Sequence, residues 1–232
     1  MELKVYKFDP AVDAQPSYLT GTIEHTDKMT VLEALIAFHE TVGDVAFDYS
    51  CHGRMCGRCA MMVDGTPVLA CCTAISDGDH TIEPLAGHTV VRDLIVDRSD
   101  MDAKLSEIYR RVRVEPVVAE EANACDAQTG DAMYTMVNCT RCGVCNAACP
   151  VYTQSPDQYV GPAAMLAIAY RDADPYDQGD RVLEAVSKGL YRCIQCGRCD
   201  EVCRRLEIDH LGTWATLRAK AEERGLVPSY AQ

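Results

Sequence analysis

Fourteen cysteines stand in this 232-residue chain, and twelve of them fall into three tight groups. The first is Cys51-x4-Cys56-x2-Cys59, followed after eleven residues by Cys71. The second is Cys139-x2-Cys142-x2-Cys145-x3-Cys149-Pro150. The third, Cys193-x2-Cys196-x2-Cys199-x3-Cys203, repeats the second 54 residues later, which marks an internal duplication. Thiols clustered in this way, in a chain whose Met1-Glu2-Leu3-Lys4 start carries no basic-then-apolar signal segment, point to metal chemistry rather than a disulfide framework.

The x4-x2 spacing with a distant fourth cysteine is that of plant-type [2Fe–2S] ligation. A loop wrapping a small anionic cluster must turn backbone N–H groups inward, and Gly53 and Gly57 supply the required freedom. Adjacent residues of an extended strand point oppositely, so only one of Cys71 and Cys72 can ligate, and spacing does not choose between them. The x2-x2-x3 run followed by proline is that of bacterial two-cluster ferredoxins, in which the fourth cysteine serves the other cluster. Crossed ligation then assigns Cys139, Cys142, Cys145 and Cys203 to one cubane, and Cys193, Cys196, Cys199 and Cys149 to the other. Zinc usually takes cysteines as two short-spaced pairs, which fits none of the three groups as well.

Seven arginines (54, 58, 141, 192, 198, 204 and 205) lie in or beside the cysteine groups of a chain whose formal charge is −13. A cluster with four thiolates carries about −2 when oxidised, so nearby positive charge favours its reduced form. The acidic balance argues against a nucleic-acid partner, and no apolar run approaches a membrane span. There is no Gly-rich phosphate loop and no nucleophile elbow. The histidines at 25, 39, 52, 80, 88 and 210 form no metal-spaced pair, and Met61-Met62, Trp214 and Cys125 read as core, interface or a structural thiol. The chain has the means to carry electrons and no catalytic residue of its own.

The elements around these groups change character along the chain. Leu3, Val5 and Phe8 predict a first strand, and 19–25 a second. Thr30 and Glu33 form a capping box ahead of a helix with Val31, Leu35 and Phe38 on one stripe. Ala60–Val63 and Pro67–Ala70 flank Asp64-Gly65 as a hairpin, and His80–Glu83 reads as a further strand. Helices are expected at Pro162–Tyr170, from Asp180 through Ser187, and from Leu211 to Arg224 before Gly225. The expected fold is α+β. A β-grasp-like plant-type [2Fe–2S] ferredoxin domain occupies 1–105, a weakly periodic linker 106–131, and an all-α bacterial-ferredoxin-like domain 132–232. So thin a helical core needs clusters as cross-links.

This order of motifs resembles the iron–sulfur subunit of succinate dehydrogenase and fumarate reductase over nearly the whole chain. The resemblance is carried by Cys51–Cys59, Pro67-Val68-Leu69-Ala70-Cys71, Arg92-Asp93-Leu94-Ile95-Val96-Asp97, Cys139–Pro150, Gly161-Pro162-Ala163-Ala164 and Glu201-Val202-Cys203. In that family the fourth [2Fe–2S] ligand directly follows the Pro-x-Leu-Ala segment, which picks Cys71. The resemblance implies an FAD flavoprotein partner that binds the dicarboxylate and a membrane-anchor or cysteine-rich quinone-linked partner. It also implies a peripheral position on the cytoplasmic side of the membrane, with this chain joining the two partners and spanning nothing. Most members have no cysteine matching Cys196 and hold a [3Fe–4S] third cluster on the residues matching Cys149, Cys193 and Cys199. Here Cys196 offers a fourth thiolate, so a [4Fe–4S] cluster is expected, with [3Fe–4S] as the alternative. Arg204 stands where the family has proline, and Ile194 where some members have histidine, so no quinone contact is assigned. An equivalent relay in a heterodisulfide-reductase-like system is the competing function, and a zinc-stabilised interaction module a third.

Overall fold

The computed structural model describes residues 1–116, 125–204 and 208–231. Arg205 and the middle of the expected linker, with Glu120, Glu121 and Asn123, lie outside the described residues. The chain divides into two compact units, Met1–Ser99 with Thr140–Ala148, and Asp100–Cys139 with Cys149–Gln232.

The first unit is built on a five-stranded sheet of order β2-β1-β5-β3-β4. Its strands are β1 (Glu2–Lys7), β2 (Ser17–Thr22), β3 (Ala60–Val63), β4 (Thr66–Leu69) and β5 (Asp79–Pro84). β1 pairs antiparallel with β2 and parallel with β5, while β3 runs antiparallel to both β4 and β5. Leu3 and Val5 alternate inward as a period of two requires. β2 starts earlier than its sequence suggested. A turn over Asp9–Asp13, closed by Asp9 on the N–H groups of Ala11 and Val12, sets the register that pairs Lys7 with Ser17. Asp64 and Gly65 both take positive φ (50° and 76°), the geometry of a two-residue turn that matches strand twist. Pro67 is accommodated because β4 is an edge strand.

α1 (Val31–Thr41) has its capping box intact: Thr30 Oγ1 accepts from Glu33 N at 3.2 Å, and Thr30 N donates to the Glu33 carboxylate at 2.7 Å. It buries Val31, Leu32, Ala34, Leu35 and Phe38. A short hairpin, β6 (Val90–Arg92) and β7 (Ile95–Val96), follows β5 and was not anticipated; strands of two and three residues leave no periodic trace. Its turn residue Asp93 is 1 % exposed. The Asp93 carboxylate accepts from Lys7 Nζ at 2.8 Å, Phe8 N at 3.0 Å and Ala46 N at 2.8 Å. One buried acid thereby ties the end of β1 to the segment that leads into the first cysteine loop.

The second unit is helical. α2 (Ser99–Ile108) buries Met101, Leu105 and Ile108, and α3 (Ala127–Val137) is capped by Asp126 on Thr129 N at 2.7 Å. α4 (Val144–Ala148) belongs to the first unit, and α5 (Pro150–Gln154) opens directly after Cys149. α6 (Pro162–Ala173) is buried from Pro162 through Ala169 and forms the centre of the unit. α7 (Arg181–Ser187) is capped by Asp180 as expected and stops at Gly189 (φ 93°). α8 (Arg198–Val202) and α9 (His210–Glu223) complete it. The expected linker is not slack where it is described. Arg111 pairs with buried Asp174 at 2.6 Å, Arg181 donates to Arg110 O at 2.7 Å, and Gln178 N donates to Val112 O at 2.9 Å. Its last residues already form the first turn of α3.

Candidate metal centres

The first cysteine loop is shaped to hold negative charge. His52, Arg54 and Gly57 take positive φ (51°, 63° and 67°), which turns successive N–H groups inward as an anion nest. Cys51 Sγ accepts from the N–H groups of Gly53 (3.4 Å), Met55 (3.2 Å) and Cys56 (3.2 Å). Those bonds from Gly53, Cys56 and Met55 bring the Cys51 thiol down to about 6. Cys59 is buried, and desolvation pushes its thiol up to about 12. Its sulfur accepts from Cys71 N at 3.4 Å, and the thiols of both Cys71 and Cys56 act on it. Cys51 thus neighbours Cys56, and Cys59 neighbours both Cys56 and Cys71. Thiolate is the ligating form, and ferric iron supplies the charge that a buried thiolate such as Cys59 needs, so the donor set fits a cluster.

Cys71 and Cys72 both lie in a 3₁₀ turn over Ala70–Cys72, instead of in the strand alternation assumed from sequence. Cys71 faces Cys59, whereas Cys72 Sγ donates to Leu69 O at 3.5 Å. Two buried supports escaped sequence reasoning. One is Asp93, described above. The other is Arg98, whose Nη1 donates to Gly57 O at 2.9 Å and so clamps the loop from behind.

The duplication appears in the backbone residue for residue. Arg141 and Gln195 both take φ 55°, and Gly143 and Gly197 take 81° and 78°. α4 and α8 are then five-residue helices displaced by the same 54 positions. Cys149 caps α5, accepting from Tyr152 N at 3.5 Å, and Cys193 Sγ accepts from Gln195 N at 3.4 Å. A non-glycine residue in the left-handed region at the same place in both repeats is explained by the need to aim N–H groups at a sulfur centre. Cys142 and Cys145 lie in the first unit, and Cys139 and Cys203 in the second.

Within the second unit, Cys149, Cys193, Cys196 and Cys199 line one small cavity together with Ile194 and Trp214. Burial raises the Cys149 thiol, with Cys193 and Cys196 adding to the effect, and it pushes the Cys199 thiol up to about 12. Of these lining residues, Cys196 and Ile194 are exposed. Two brackets hold the ligand segments. Asp200 accepts from His210 N and pairs with His210 Nδ1, both at 2.7 Å, and Arg218 Nη2 donates to Cys193 O at 2.7 Å. Burial holds the imidazole of His210 below its ordinary value, against the pull of Asp200. Of the seven arginines, Arg54, Arg58, Arg141, Arg192, Arg198 and Arg204 are exposed; Arg192 stacks on the Tyr230 ring at 4.0 Å.

Residues 2–103 match the model of a 2Fe-2S iron–sulfur cluster binding domain, and residues 135–206 that of a 4Fe-4S dicluster domain. Fold and matches together define an iron–sulfur protein with an N-terminal [2Fe–2S] ferredoxin domain and a helical [4Fe–4S] ferredoxin-like domain. A fumarate reductase iron-sulfur subunit of Mycobacterium tuberculosis is 32% identical over 211 residues, with 87% of this chain and 85% of that protein covered. One of Haemophilus influenzae is 29% identical over 226 residues, covering 88% and 86%. A fumarate reductase (CoM/CoB) chain of Methanothermobacter marburgensis is 34% identical over 204 residues; they take in 88% of this chain, which spans only 40% of that relative. A chain of the Mycobacterium smegmatis Sdh1 complex in the apo form shares the fold with a TM-score of 0.86 at 24% identity, covering 98% of both chains. The chain belongs to the iron–sulfur subunit family of fumarate reductase and succinate dehydrogenase.

Proposed function

We propose that this chain relays electrons within a fumarate reductase or succinate dehydrogenase complex. It would link an FAD-containing, dicarboxylate-binding flavoprotein to a quinone-linked partner, either a membrane anchor or a cysteine-rich equivalent. The observation that carries this reading is the union of the Cys51 nest and the duplicated cysteine turns in one chain. Iron–sulfur clusters supply one-electron redox chemistry when bound. The residues assigned to hold them are Cys51, Cys56, Cys59 and Cys71 for [2Fe–2S], and Cys139, Cys142, Cys145 and Cys203 for the first [4Fe–4S]. Cys149, Cys193, Cys196 and Cys199 are assigned to a third cluster, read as [4Fe–4S] because four thiols line that cavity. Around each, the chain's task is to hold thiolates and point N–H groups at sulfur. No helix among the described residues is long and apolar enough to cross a membrane. Attachment at its cytoplasmic face is assigned to the partners.

The test is purification of the native complex. A flavoprotein that copurifies and interconverts fumarate and succinate with a quinone analogue is the expected result. Zinc in place of iron would overturn the relay, and a flavoprotein acting on other substrates would overturn the dicarboxylate assignment. One relative is a fumarate reductase (CoM/CoB) chain, of which this chain spans only 40%. Relatives matched over most of their own length favour the first reading.

Cys196 decides the third cluster. Cys196→Ser is expected to create a [3Fe–4S]⁺ electron paramagnetic resonance signal in the oxidised protein, with the loss of one iron. The unaltered protein should lack that signal; finding it there would show that Cys196 is idle.

A further inference from the structure

Trp214 lies in the second turn of α9 with no exposed surface. Its ring meets that of His210 edge-on, with centroids 5.7 Å apart, and Arg218, one turn further along, holds the carbonyl of Cys193. Trp214 therefore packs against His210, which also braces a ligand segment through Asp200. Its indole Nε1 is buried and has no hydrogen-bond partner among the described residues. A buried donor left unpaired is destabilising, and folded proteins rarely leave one. Trp214 lines the same cavity as Cys149, Cys193, Cys196 and Cys199, whose sulfurs are the acceptors at hand.

We propose that the Trp214 indole N–H donates a hydrogen bond to a sulfur of the third cluster and thereby raises that cluster's reduction potential. The inference rests on the relay reading above, since it needs a cluster on those four cysteines. Reduction adds negative charge to the sulfurs, so a donor aimed at them favours the reduced state. Trp214 acts through the cluster's sulfur, as a tuning residue. It is the only tryptophan of the chain, so a labelled or altered tryptophan changes this one position.

The experiment uses the full chain with its clusters assembled anaerobically and ¹⁵N-tryptophan incorporated. Hyperfine spectroscopy of the reduced third cluster should find an exchangeable proton and a ¹⁵N coupling from the indole. Replacing tryptophan by an analogue with sulfur at the N–H position keeps the shape and removes the donor. Both that analogue and Trp214→Phe should abolish the coupling and weaken reduction of the third cluster about tenfold, equivalent to about 59 mV for one electron. The other two clusters should not move. A purely structural role would leave the potential of the analogue protein unchanged, and that result, or a third cluster without indole coupling, overturns the proposal. Iron and spectra accounting for only two clusters would overturn the relay reading itself. The coupling in unsubstituted protein needs no variant to fold.

Discussion

Cys71→Ala is expected to abolish the [2Fe–2S] centre, while Cys72→Ala should leave it intact. The two residues are neighbours of the same type, so the contrast isolates geometry. Cys71 contributes its N–H to Cys59 Sγ at 3.4 Å and sets its own thiol beside it. The Cys72 thiol turns back to Leu69 O at 3.5 Å. A cluster denied its fourth thiolate would leave Cys59 as a buried group whose thiol stands at about 12, with no cationic centre to keep it ionised. The measurements are acid-labile sulfide and the resonance of the reduced [2Fe–2S] centre. Near-complete loss in the first variant and near-full retention in the second is the expected pair. The reverse pair would mean that the 3₁₀ turn reseats on cluster binding and that Cys72 is the ligand.

That pair also marks the limit of what could be read from the chain. Cysteine spacing is a local code: three ligands on one loop, or an x2-x2-x3 run, point to a [2Fe–2S] and a [4Fe–4S] domain without any tertiary information. Capping boxes and two-residue turns are equally local, which is why Thr30–Glu33 and Asp64-Gly65 were legible. The choice between Cys71 and Cys72 depends on how the backbone leaves β4, and alternation fails once the strand becomes a 3₁₀ turn. Asp93 and Arg98 were harder still. Each works by bonding backbone groups more than 40 positions away, and no periodicity records such a contact. α2 could have been found from Met101, Leu105 and Ile108 at helical spacing, but its polar remainder masks the stripe. The described part of the supposed linker looked unstructured because its order comes from Asp174, Gln178 and Arg181, far along the chain.

Gly57→Ala should be among the most damaging single-methyl changes in the first unit. Gly57 takes φ 67°, which costs an alanine roughly 1 kcal/mol. More serious is what the new Cβ would meet: Thr140 O at 2.9 Å, Cys142 Cβ at 2.9 Å and Cys142 Cα at 3.0 Å. None of these is the far end of a flexible side chain, so relief requires one cysteine loop to move away from the other. Arg98 opposes that movement, because it holds the Gly57 carbonyl at 2.9 Å. The combined cost should be on the order of 3 kcal/mol, the scale of overpacking added to backbone strain. Gly65→Ala provides the control. Gly65 also has positive φ, at 76°, but a Cβ there meets nothing within 4 Å, so only the conformational cost of roughly 1 kcal/mol applies. Thermal unfolding should separate the two variants by about 2 kcal/mol, and Gly57→Ala alone should lose [2Fe–2S] content and perturb the resonance assigned to the Cys142 cluster. Equal stability with both clusters undisturbed would show that the two loops do not approach as closely in the loaded protein, and that contact at Gly57 does not set their spacing.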